Sequence, residues 1–125
     1  MVELARGWLA DVERGPDWIF VKLQKPEFAA DDAPPLADSV WELLEQHFVH
    51  RVVVEMDKIE WLSSYVIGQL VMLHRRASQT GGIVRLSGLS PANRDILHGL
   101  RLDSRFPYYE SRDDAVLGYL PTQPR

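Results

Sequence analysis

The chain has 125 residues, 14 lysines and arginines against 18 aspartates and glutamates, a net charge of -4 and no cysteine. That length buries one core without metal or disulfide support, and the missing cysteines exclude disulfides, thiolate metal sites and cysteine nucleophiles together. The acidic balance and scattered basic residues, of which only Arg75 and Arg76 are adjacent, speak against nucleic acid as a partner, since phosphate backbones are held by clustered Lys and Arg.

No basic segment followed by an apolar run marks a leader between Met1 and Gly15, and no apolar stretch nears the roughly 18 residues that span a bilayer. The expectation is one domain over residues 1–125, in the cytoplasm, with no membrane contact.

In chain order, Trp8–Glu13 and Trp18–Leu23 read as strands of an antiparallel hairpin around the turn residues Gly15-Pro16-Asp17. The segment Pro26–Pro35 reads as a loop whose Asp31, Asp32, Pro34 and Pro35 suit the start of a helix. Leu36, Val40, Leu43, Leu44, His47 and Phe48 recur at helical spacing. Arg51–Met56, with three consecutive valines, reads as a strand covered on both faces, as parallel strands are. A second helix is expected over Ser64–Gln79, with Val66, Leu70, Leu73 and Ala77 inward, Ile67 and Val71 widening the stripe, and Gly81-Gly82 as a stop.

Ile83–Leu86 follows as a strand. Ser90-Pro91 opens a third helix with an apolar side of Ile96, Leu97 and Leu100. Pro107–Glu110 reads as a last strand, and Ser111 caps a final helix through Leu117. Strands alternating with helices predict an α/β fold: a mixed, mostly parallel sheet of four to five strands, an N-terminal antiparallel hairpin and about four helices. Sites on such sheets lie outside the carboxyl ends of the strands. Those ends are the loops 26–35, 57–64 and 87–91.

The second of these carries the strongest signal. Ser63 and Ser64 stand at a helix start, where a side-chain oxygen caps free amides and where the macrodipole favours an anion. A phosphate there adds about -1.5 to -2 charge. The helix end tolerates it, but a partner packed on the same surface does not. A serine in this position is also an ordinary cap. Trp61, beside it, reads either as an interface anchor or as a core residue under the second helix.

The other constellations are weaker. His47 and His50 could share a helix face, but spacing brings them no third ligand, so no metal is expected. His74 and His98 stand apart. Ser64 lacks the glycine pattern of a nucleophile elbow, and a small hydrolase would need a deep polar pocket joining Ser64 to a histidine. Gly81, Gly82 and Gly88 form no phosphate loop with a lysine. No cofactor is expected.

The order of elements, together with Leu62-Ser63-Ser64-Tyr65-Val66 after the central strand, Arg75-Arg76-Ala77 to Gly81-Gly82, Leu89-Ser90-Pro91 and Leu97 to Phe106, resembles the STAS domain family of bacterial anti-sigma factor antagonists over about residues 8–120. The family's usual motif reads Asp-Ser-Ser-Gly-Leu, and the resemblance implies phosphorylation at Ser64, with Ser63 as the alternative. It implies a binding module rather than an enzyme. The partner would be an anti-sigma factor that is a serine-protein kinase, bound through Asp32, Trp61, Leu62, Ser63, Ser64, Tyr65, Val66, Gln69 and Ser90, with a phosphatase to reset the switch. Leu62 stands where the family carries aspartate, and Tyr65 where it carries glycine. The loss removes a carboxylate near the acceptor, and the tyrosine puts a ring where the partner comes in. Family members that build large stress-signalling scaffolds also carry an aromatic after the serine, so a non-switching subunit of a larger assembly is the alternative to a monomer or weak dimer that switches.

Overall fold

The computed structural model describes residues 2–5, 8–24, 36–106 and 108–118. Six strands form one sheet whose order follows the chain, β1-β2-β3-β4-β5-β6. They are β1 (Val2–Ala5), β2 (Trp8–Arg14), β3 (Ile19–Leu23), β4 (Arg51–Glu55), β5 (Ile83–Ser87) and β6 (Tyr108–Tyr109). The helices are α1 (Leu36–Gln46), α2 (Ser64–Gln79), α3 (Pro91–Gly99) and α4 (Arg112–Leu117). β1, β2 and β3 pair antiparallel, and β3 to β6 pair parallel. The expected α/β architecture holds, with β1 as an added strand. Pro107 and the loop 26–35 lie outside the described residues.

The three central valines split between two cores, as their alternation along a strand requires. Val52 and Val54 face a large cluster built with Leu44 of α1, Leu70 and Leu73 of α2, and Leu97 of α3. Val53 faces a smaller cluster with Trp18, Phe20, Tyr109 and Ala115 of α4. Three helices therefore cover one face and α4 covers part of the other. Burial of the α2 stripe Val66, Ile67, Leu70, Leu73 and Ala77 is as expected.

Two apolar expectations fail at helix ends. α1 stops at Gln46 rather than running to Phe48. The Val49 N–H donates to the Leu44 carbonyl (3.1 Å) and the Phe48 N–H to Glu45 (3.2 Å), the reversed turn that ends many helices. Phe48 is thereby thrown into solvent, 92% exposed. His47 and His50 fall on either side of this turn and share no helix. Leu100 likewise caps α3 and is exposed, leaving Leu97 and, in part, Ile96 as the packed side.

α4 is fastened electrostatically. Glu55, buried at the end of β4, accepts two hydrogen bonds from Arg112 (2.9 and 2.7 Å), and Arg112 also reaches Glu13 (2.7 Å). The guanidinium lies 4.4 Å from the Phe20 ring centroid. These contacts raise the Arg112 pKa, the Glu55 hydrogen bonds first, and Arg112 in turn holds the Glu13 carboxyl below its ordinary range.

Candidate functional site

The site begins where β4 ends. Met56 extends the ladder with an N–H bond to the Ser87 carbonyl (2.8 Å), and the Ile59 N–H turns back to the Met56 carbonyl (3.0 Å). Ile59 and Leu62 are buried in the main core. Between them the chain is held by Asn93 of α3, which is fully buried. Its Oδ1 accepts from the Leu62 N–H (2.9 Å), and its Nδ2 donates to the Ile59 carbonyl (3.1 Å). The turn after β5 closes the other side. Gly88 has φ +72, and a side chain there would run into the Asp57 carboxylate. Two constraints, an amide clamp and a glycine that leaves room, thus set the loop that precedes α2.

Ser63 is the cap. Its backbone is extended (φ -80, ψ 160) and its Oγ accepts from the Val66 N–H at 3.2 Å. Ser64 is the first helical residue, exposed, and its hydroxyl bonds to no described residue. The two adjacent serines are therefore not equivalent. The first turn of α2 carries no acidic residue, so nothing on the helix itself neutralises its amide end.

Trp61, three residues before Ser64, is 69% exposed. That exposure sets aside the reading of Trp61 as a core residue under α2. Along the outward face of α2 follow Gly68, with nothing within 4 Å of the Cβ it lacks, and Met72, 49% exposed.

The remaining expected contact residues divide. Leu62 and Val66 are buried, 3% and 4% exposed, and offer a partner no surface: they carry the loop and helix on the core, and the expectation of direct contact is corrected. Tyr65 is half-buried against the core. Burial raises its phenol pKa, opposed by a hydrogen bond from the Leu36 backbone, so the ring lies toward α1. Gln69 Oε1 accepts from the Ala37 N–H (2.8 Å), tying α2 to α1. Ser90 caps α3 through the Asn93 N–H (3.2 Å). Asp32 lies outside the described residues. Exposed surface is thus supplied by Trp61 and Ser64, with Ser63 half-buried between core and rim.

The sequence reading missed Asn93. The signal was there: Asn93 is four residues before Leu97, on the inward side of α3, where a polar residue needs partners.

Among the described residues no group of three or more His, Asp or Glu could hold a metal, and no helix of the described residues is long and apolar enough to cross a membrane. Among the described residues Ser64 makes no hydrogen bond to a histidine, and the clefts beside His74 and beside Phe48 do not include it.

Solved structures repeat this architecture. An anti-sigma factor antagonist from Mycobacterium paratuberculosis is similar at 21% identity, with 94% of this chain and 97% of that one covered and a TM-score of 0.72. A serine-to-glutamate variant of RsbS from Moorella thermoacetica is similar at 15% identity, covering 87% and 92%, with a TM-score of 0.71. The Bacillus cell fate determinant SpoIIAA in its phosphorylated form is similar at 14% identity, covering 88% and 98%, with a TM-score of 0.62. No curated protein matches the sequence. The family model of the STAS domain matches residues 10–115, and the chain belongs to the STAS domain family.

Proposed function

We propose that this STAS domain is a regulatory binding module of the anti-sigma factor antagonist kind, acting in the cytoplasm on an anti-sigma factor that is also a serine-protein kinase. Its binding surface is Trp61, Ser64 and the outward face of α2, and phosphorylation of Ser64 ends the binding. The observation that carries this reading is the division of labour between the serines. Ser63 is occupied as the cap, while Ser64 is exposed with an unbonded hydroxyl at the amide end of a 16-residue helix. Similarity to an anti-sigma factor antagonist and to a protein solved in a phosphorylated form supports it.

In the transfer step the Ser64 oxygen bonds to the γ-phosphorus of ATP and the bond to the leaving ADP breaks. The serine proton passes to a base of the kinase, which also supplies the magnesium. The dianion is tolerated at the helix start. It is not tolerated under a docked surface, where it would be desolvated without a partner charge. A phosphatase restores the hydroxyl.

The test is labelling by the cognate kinase. Wild type and Ser63→Ala should take up phosphate, Ser64→Ala should not, and Ser64→Glu should lose kinase binding while remaining folded. Labelling that persists in Ser64→Ala would remove the assignment.

A second reading, a non-switching subunit of a larger assembly, rests on Leu62: it is buried and apolar, so no carboxylate from that position stands beside the acceptor. A Ser64 that no kinase labels, in a protein that elutes from gel filtration as a large particle, would favour it.

A further inference from the structure

The end of the sheet opposite Ser64 carries a residue that the fold does not explain. Phe48 has φ +56, in the left-handed region that a β-carbon disfavours and where glycine is the usual occupant after a helix. It is also 92% exposed. Either feature alone is unfavourable to the isolated domain. The inward partner of the same turn, Val49, is buried on Leu44 as that motif requires, so the turn would form as well, and with less strain, around a glycine.

Phe48 borders an open cleft of about 450 Å³ at the amino ends of the parallel strands. Arg14, His50 and Arg51 line it, with Asp17 as the one carboxylate, and Thr80 and Gly81 close its far wall. Neither Arg14 nor Arg51 has an ion pair among the described residues. The carboxyl ends of the same strands have the opposite character. Asp57 and Glu60 follow β4, Glu110 follows β6 and Asp113 lies in the first turn of α4, all exposed, with Lys58 among them. Arg112, on this rim, is already taken by Glu55 and Glu13.

We infer that the Phe48 cleft is a self-association surface that receives the acidic rim of a second copy of this chain, head to tail. The occupant follows from charge. Two clefts facing each other would set arginine against arginine, so a symmetric contact is disfavoured. A cationic cleft against the carboxylate rim of the next molecule is complementary, and the chain carries both. Exposed aromatics flanked by arginine are what interface anchors are made of. Such a contact is heterologous and leaves a free cleft at one end and a free rim at the other, so it extends into a chain of copies unless it closes into a ring. It does not depend on the role given to Ser64.

The experiment is sedimentation velocity on the full chain over a range of concentrations, at low and at high salt. Wild type should gain mass with concentration at low salt and return toward monomer when salt screens the contact. Phe48→Gly should stay monomeric while its Tm rises by about 3–6 °C, because glycine relieves the left-handed strain. The double variant Glu110→Lys/Asp113→Lys should also be monomeric. Mixing it with Phe48→Gly should give a species that stops at the dimer, since one variant keeps the cleft and the other keeps the rim. A wild type that is monomeric throughout overturns the proposal. So does a Phe48→Gly protein that associates as well as wild type, or a mixture that stays monomeric.

Discussion

α2 and α4 begin in the same way and are used differently. Each is capped by a serine whose oxygen accepts an amide hydrogen three residues on, Ser63 from Val66 and Ser111 from Asp114, both at 3.2 Å. At α4 the next residue is Arg112, locked to Glu55 and Glu13, and Asp113 and Asp114 already answer the positive end of the helix. At α2 the next residue is Ser64, exposed, with no acid in the first turn. One start is electrostatically complete and serves to hold a helix on the sheet. The other is capped for stability but left open to an added anion. A cap motif alone does not tell the two apart: what differs is whether the charge that a helix start favours is already supplied.

That contrast can be attacked from its strongest side first. Arg112→Ala leaves the Glu55 carboxylate buried without its partner and should cost about 3 kcal/mol of stability, read by chemical denaturation, while labelling of Ser64 is unchanged. A matching loss of labelling would mean the two helix starts are coupled. Next, Asn93→Leu strands the Leu62 N–H and the Ile59 carbonyl and should cost about 2–3 kcal/mol. The Leu62 amide should then exchange with deuterium far faster, and the α2 start, not α4, should loosen. Ser63→Ala and Ser111→Ala should each cost about 1 kcal/mol, and equal losses would show that the caps themselves are equivalent. Gly68→Ala should stabilise by about 1 kcal/mol, since its site is open and its φ ordinary, and any loss of partner affinity in that variant would mark close approach to α2.

The smallest effect is on pH. Arg112 lowers the Glu13 pKa, so Glu13 contributes stability above the ordinary carboxylate value and loses it as pH falls through the lowered one. Amide exchange in α4 should rise over that window before any change at the start of α2, and simultaneous loosening would argue against separate control.

How much of this could be read in advance differs by element. α2 was legible to the residue because an apolar stripe, a serine cap and a glycine stop all agree. β1 was not, because Val2–Ala5 is short and is held by partners far from it in local pattern, the β2 ladder and the core against which Leu4 packs. Phe48 fitted the helical period and misled for that reason: periodicity records where an apolar residue recurs, not where the backbone reverses. Trp61 was left open between core and surface because a loop has no period to assign a face. The Glu55–Arg112 link joins residues 57 apart, and nothing local announces it. At the site, the pair of serines at a helix start was visible, but which of them caps and which is left exposed needed the backbone geometry.

Because the strands lie side by side in the order they are made, every new one meets its neighbour immediately behind it. Only the antiparallel pairs are local: each parallel pair is joined across a crossover, with Ile19 opposite Val52 and Val52 opposite Val84. Those contacts repay the search only after a long loop has closed, and the antiparallel end is where assembly has least to search.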